Sequence, residues 1–194
     1  MKAGFVLLCS LSVPALAAPT PAEFHRAVYA LHEQQTAQRE LRITEERGDY
    51  EGAAAARYRY VDTRYYDAAS GRLISRIRRD AAMPEFVHIS EVNVYDATGK
   101  LLRDFGSVTL PWAPAHPVRT FINLHHYPAG LHSFRQHDLS GEIGYEFCEG
   151  KWDNKPARIS LDGSDINAAS TASTAYKACF DGLEKDWARY TTPR

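Results

Sequence analysis

Apolar positions along the chain change their period twice. In "TPAEFHRAVYALHEQQTAQRELR" Phe24, Val28 and Leu31 recur at i, i+4 and i+7, the spacing of one helix face. Thr20 can cap that helix, Pro21 suits its first position, and Glu23 completes a Ser/Thr-x-x-Glu capping box. Past Leu31 the face turns polar at Gln35 and Gln38. The pattern therefore predicts a helix within 18–45 that docks by its first half. The turn-rich "ERGDYEG" ends it and has room for a short edge strand.

From about residue 57 to 161 the pattern becomes that of strands. Three segments, "YYDAASGRLIS", "VYDATGKLLRD" and "HDLSGEIGYEF", share one design: a strand, an Asp, a Ser or Thr, a Gly, then a strand. Asp67, Asp96 and Asp138 can bond the turn backbone, while Gly71, Gly99 and Gly141 can take positive φ, so each reads as a hairpin. The unequal spacing of the three argues for a meander, since a solenoid would keep a fixed period. Within "FVHISEVNVYD", Val87 and Ile89 share one parity and Val92 and Val94 the other, which predicts a β-bulge near Ser90–Glu91.

The last segment returns to helical spacing: Tyr176, Phe180, Leu183 and Trp187 stand at i, i+4, i+7 and i+11. The expected fold is mainly β with flanking helices. An antiparallel meander of about eight strands over 46–166 forms a sandwich or a strongly coiled sheet. The N-terminal helix (18–45) and a C-terminal helix (167–194) pack on it as one compact domain.

The chain start changes the context. "MKAGFVLLCSLSVPALAAPTP" has a basic Lys2, an apolar stretch from Ala3 to Val13, and the small residues Ala15 and Ala17 where signal peptidase reads. Residues 1–17 are therefore expected to be a signal peptide cut near Ala17–Ala18, placing the product in the periplasm or outside the cell. No stretch is apolar for long enough to predict a transmembrane segment. Cys148 and Cys179 are the cysteines that survive cleavage, and in an oxidising compartment they are expected to form a disulfide. With 23 basic and 24 acidic residues, the chain lacks the basic excess expected of a nucleic-acid partner.

Candidate chemistry concentrates in "INLHHYPAGLHSFRQHD". A three-residue loop closed by Gly130 would set His126 opposite His132, whereas a two-residue loop would oppose His125 and His132. Either pair of imidazoles could approach closely enough to share zinc or copper. Zinc usually takes three or four protein donors, so a third, such as His88 or His116, would have to arrive from another strand. His137 has the wrong strand parity to join His132, although Asp138 has the right one. Glu142, Glu146 and Glu149 raise a second possibility, since glycoside hydrolysis needs two carboxylates across a cleft.

The sequence contains no G-x-S-x-G, H-E-x-x-H, phosphate-binding Gly loop or C-x-x-C-H. The leading expectation is thus a soluble, exported, non-catalytic binding or envelope-associated module with a protein or carbohydrate partner and no required cofactor. The alternatives are a metal-binding protein using His125, His126 and His132, and a hydrolase of cell-envelope carbohydrate.

Overall fold

The computed structural model describes residues 18–51 and 57–193. The export signal assigned to residues 1–17 lies outside them. Helix α1 (Pro21–Ala37) is followed by nine strands: β1 (Leu41–Glu51), β2 (Arg57–Asp67), β3 (Leu73–Asp80), β4 (Val87–Tyr95), β5 (Leu101–Leu110), β6 (Ala113–His126), β7 (Leu131–His137), β8 (Ile143–Trp152) and β9 (Lys155–Asp162). Short helices α2 (Ala168–Thr171) and α3 (Thr174–Phe180) and a 3-10 turn at Trp187–Tyr190 complete the chain. All nine strands form one antiparallel sheet in chain order, with β1 and β9 at its edges. The sheet is strongly coiled at one end: Tyr58 of β2 meets Trp112 in the β5–β6 turn, ring centroids 5.6 Å apart, across two intervening strands.

The local signals account for most of the boundaries. Thr20 and Glu23 form the capping box, with Glu23 N–H donating to Thr20 Oγ1 and Thr20 N–H to Glu23 Oε2. In the β2–β3, β4–β5 and β7–β8 turns, Oδ1 of Asp67, Asp96 and Asp138 accepts from the backbone and hydroxyl of Ser70, Thr98 and Ser140. Gly71, Gly99 and Gly141 have φ of 71°, 84° and 91°, which a side chain would disfavour.

Three boundaries depart from the expectation. The first helix stops at Ala37, and "LRITEERGDYE" is an eleven-residue edge strand that begins well before residue 46. The C-terminal stripe is broken: α3 ends at Phe180, and a Cβ on Gly182 would lie 2.4 Å from His126 Nε2, so glycine lets the histidine approach there. Tyr176, Phe180 and Leu183 are nonetheless buried, and Trp187 packs beside them.

The third concerns β4, which has no bulge at Ser90–Glu91. The register instead skips His88 against β3 and shifts again between Val94 and Tyr95. The apparent change of parity arises because His88, Ser90 and Val92 all face the helices, two of the three being polar.

Helix α1 lies on the face formed by Val92, Phe105 and Ile122, meeting it with Phe24, Val28 and Leu31, each 3 % exposed or less. Such side chains contribute roughly 1.5–3 kcal/mol apiece on burial. Fully buried Ser75, Ser90 and Ser107 leave room for the helix. Two of them hold it: His25 Nδ1 lies 3.0 Å from Ser107 Oγ and His32 Nδ1 2.7 Å from Ser75 Oγ. These histidines are seven residues apart, two turns along one helix face.

Burial pushes the His32 imidazole down to about 4, with the Arg79 charge acting in the same direction. Its folded pKa thus lies below that of the unfolded chain, which binds the extra proton first. Stability from this group is complete above about pH 6.5 and is lost as the pH falls towards 4. The shift sets a ceiling of about 3 kcal/mol, and allowing for solvent screening we expect a loss of roughly 2 kcal/mol. Urea unfolding at pH 7.5 and 4.5 should show this loss shrinking in His32→Gln relative to wild type. An unchanged pH dependence in the variant would remove His32 as its source.

Candidate functional site

The histidine hairpin forms, in a register offset from both expectations. Leu131 N–H donates to Pro128 O at 2.8 Å, and Gly130 takes φ of 78°, so the turn runs from Pro128 to Leu131. His126 then pairs with Ser133, and His125 with Phe134. His126 faces the helices, against Gly182, and cannot meet His132. His125, Tyr127, His132 and Phe134 share the opposite, outer face, where side chains at i and i+2 align.

There His125 Nδ1 lies 3.0 Å from His132 Nε2, and His125 Nε2 lies 2.7 Å from Asp104 Oδ2. The two rings are 11° from coplanar with centroids 5.2 Å apart. Their nitrogens are closer than stacked rings allow, so the contact is edge to edge. Asp104 is positioned in turn by Asn123 (2.8 Å), which accepts from Gln136 (3.1 Å), which accepts from Arg119 (2.9 Å). On the other side Tyr127 stacks on His132 with centroids 4.7 Å apart, and Lys100 Nζ lies 5.3 Å from the Tyr127 ring.

The chemistry of this chain follows from its acceptor end. A carboxylate accepts only, so His125 Nε2 carries hydrogen and its Nδ1 offers a lone pair. That lone pair accepts from His132 Nε2–H, leaving His132 Nδ1 as the free basic end. One added proton can be shared along the line towards Asp104. A second would set N–H against N–H. Burial lowers the His132 pKa, the neighbouring His125 lowers it further, and Glu149 partly opposes both. His132 also lines a shallow depression of about 580 Å³ with Glu149 and Arg158. Rings aimed edge to edge point their lone pairs at each other, whereas a tetrahedral metal needs them to converge off that line.

The other histidines are elsewhere. His88 is buried on the helix face, 3.8 Å from Asp80. His137 is buried on that face too, its Nδ1 3.3 Å from Gly141 O and its ring beside Trp187. His116 is exposed on β6. Among the described residues, no group of three His, Cys, Asp or Glu side chains converges as a metal set.

The acidic residues singled out in the sequence also separate. Glu146 is fully buried on the helix face and accepts from Arg135 Nε at 2.6 Å and from Tyr176 Oη at 3.0 and 2.8 Å. Glu149 pairs with His132 on the outer face, and Glu142 sits in the β7–β8 turn. They do not face one another across a cleft.

Sequence reasoning missed the cavities. A pocket of about 360 Å³ lies between α1 and the β3–β4 loop, lined in part by Tyr29, Ala30, Arg79, Pro84, Phe86 and Val87. An adjoining hollow of about 250 Å³ shares Arg79 and Pro84 and reaches Val61, Thr63 and Tyr65 under β1 and β2. A wider cleft of about 820 Å³ runs along the ends of β1–β3, past Tyr58, Tyr60, Met83 and Pro111. One signal was available: "SRIRRD" places Arg79 out of step with the Arg76–Arg78 alternation, so adjacent arginines face opposite sides of the sheet. No family model, curated protein or solved structure matches this chain.

Proposed function

We propose that the protein is an exported, non-catalytic ligand-binding module whose ligand occupies the groove between α1 and the β1–β4 end of the sheet. One observation carries this reading. The short helices cover the helix face only in part: α1 sits over β3–β6 and α3 over β7–β8, while the remaining face beside α1 opens into the 360 Å³ pocket and its 250 Å³ neighbour. A concave site with apolar walls and a few polar groups is the usual form of a small-ligand pocket. The disulfide between Cys148 and Cys179, with Cα atoms 6.0 Å apart, is consistent with an extracellular setting and so supports the export half of the reading. Among the described residues no helix is long and apolar enough to cross a membrane.

A second reading is metal binding by His125 and His132. It is favoured by their 3.0 Å approach and by Asp104, which orients His125 as carboxylates orient metal-bound histidines.

A thermal-shift screen of small acids, sugars and metal ions separates these readings. A groove ligand at about a hundred times its Kd should stabilise the protein by about 2.7 kcal/mol. That gain should disappear when Ala30→Trp fills the pocket and persist in His125→Gln/His132→Gln. Stabilisation by zinc or copper that is reversed by chelator and lost in the double histidine variant would replace the first reading with the second. A sugar that is cleaved during the assay would replace both with a hydrolase.

A further inference from the structure

Among the described residues, Arg79 is a half-buried cation that forms no ion pair with a carboxylate. Side chains alternate along β3, so Arg76 and Arg78 lie on the outer face while Arg79 shares the helix face with Ser75 and Ile77. On the outer face Arg76 and Arg78 share the buried Asp62 at 2.7 and 2.8 Å. Under α3, Arg135 has Glu146. Arg79 instead donates to a phenol, Tyr29 Oη at 2.9 Å, and interacts with a second, Tyr65.

Carboxylates are present on the same walls but are not used for it. Glu33 and Glu85 line the 360 Å³ pocket, and Glu45 and Asp80 line its neighbour. None forms an ion pair with Arg79 among the described residues. Asp80 is engaged with the β3–β4 loop, its Oδ1 accepting from Ala82 N–H and Met83 N–H at 2.7 and 2.9 Å. Taking a guanidinium half out of water without an opposite charge is costly, and here it occurs where two hollows meet.

We infer that this junction binds a small organic acid, its single carboxylate on Arg79 and Tyr29 and its apolar body against Ala30, Pro84, Phe86 and Val87. This rests on the groove being a ligand site and names the chemistry of the ligand. A guanidinium matches a carboxylate with paired N–H groups. Because Arg79 can only donate, the Tyr29 oxygen accepts from it, and the Tyr29 O–H remains free to donate to the bound anion. Four acidic side chains and three guanidiniums, Arg26, Arg47 and Arg79, line the two hollows, so the walls are nearly balanced and slightly negative. A phosphate dianion or a dicarboxylate would meet more repulsion there than a single carboxylate.

Isothermal titration with octanoate and benzoate, against octanamide, benzamide and octyl phosphate, tests this directly. Wild type should bind at least one acid saturably and more tightly than its amide. Loss of a charge-assisted hydrogen bond predicts that Arg79→Gln weakens the acid about ten- to a hundredfold and leaves the amide nearly unchanged. Tyr29→Phe should weaken the acid by a smaller factor, and it reports on the same site should Arg79→Gln fail to fold. Equal affinity for acid and amide in wild type would overturn the carboxylate assignment while leaving the groove a ligand site. Preference for octyl phosphate would overturn it as well, in favour of a phosphate head. Acid binding indifferent to both substitutions would place the anion elsewhere. If none of the five compounds binds, the acid assignment fails; the groove itself fails as a ligand site if the wider screen is also empty.

Discussion

Replacing Glu146 by alanine is expected to cost about 3–5 kcal/mol of stability, the loss typical when one partner of a buried ion pair is removed. Glu146 is fully buried, and the Arg135 side chain that pairs with it is 12 % exposed. The same carboxylate accepts the Tyr176 hydroxyl, which ties α3 to β8. Without it a guanidinium and a phenol remain under the helix, and water must enter to solvate them. Glu146→Gln keeps an acceptor for Tyr176 but removes the charge, so its cost should fall between those of wild type and alanine.

A spectroscopic signature separates this from simple loss of packing. Burial, joined by the Glu146 carboxylate, pushes the Tyr176 phenol up to about 12. In Glu146→Gln the ultraviolet tyrosinate transition of Tyr176 should therefore begin at lower pH than in wild type. Equilibrium denaturation showing Glu146→Ala within about 1 kcal/mol of wild type would mean that the pair does not hold the helix.

Removing the disulfide through Cys148→Ser/Cys179→Ser should cost roughly 2–5 kcal/mol. The bond closes a loop of 31 residues, for which the chain-entropy model gives about 3.5–4 kcal/mol. Its position makes the effect local as well as global. Helix α3 has seven residues, too few to persist without tertiary contacts, since isolated helices need about 12–15. Cys179 fastens its C-terminal end to β8, and the Ser133 hydroxyl donates to Cys179 O at 2.7 Å beside the bond. Amide exchange should rise first in residues 174–183, ahead of β4–β6.

The disulfide and the Glu146–Tyr176 contact hold the same short helix. Combining the two losses should therefore destabilise by less than their sum, because either one already frees the helix. Full additivity, or a reduced protein as stable as the oxidised one, would show that α3 is held mainly by Phe180 and Leu183.

What the sequence by itself determined about this protein lies within a few residues of the signal that determined it. The Thr20–Glu23 box starts α1, and three Asp–Gly turns fold three hairpins, because capping and turn bonds close over three or four positions. The meander followed from those hairpins and their spacing. The Cys148–Cys179 pairing followed from these two being the cysteines outside the apolar N-terminal stretch, with a loop between them long enough to close.

Register, and with it most facing, was decided by the tertiary structure alone. "LRITEERGDYE" could continue a helix or begin a strand, and pairing with β2 along all eleven positions decides it. Ser90 and His88 are polar, yet they are buried on the face that α1 covers, where neighbouring Ser107 and Ser75 meet His25 and His32. The helical stripe stops at Phe180, and just beyond it His126, distant in sequence, occupies the space that a side chain at Gly182 would need.

The histidine hairpin shows the reason most sharply. Strand side chains alternate with a period of two, so one residue of register moves every side chain to the other face. The turn at Pro128–Leu131 fixes that register, and with it puts His125 beside His132 and Asp104 while sending His126 to Gly182. For Arg79 the facing was legible in the alternation of "SRIRRD", but that no carboxylate among the described residues pairs with it depends on where α1 and the β3–β4 loop come to rest.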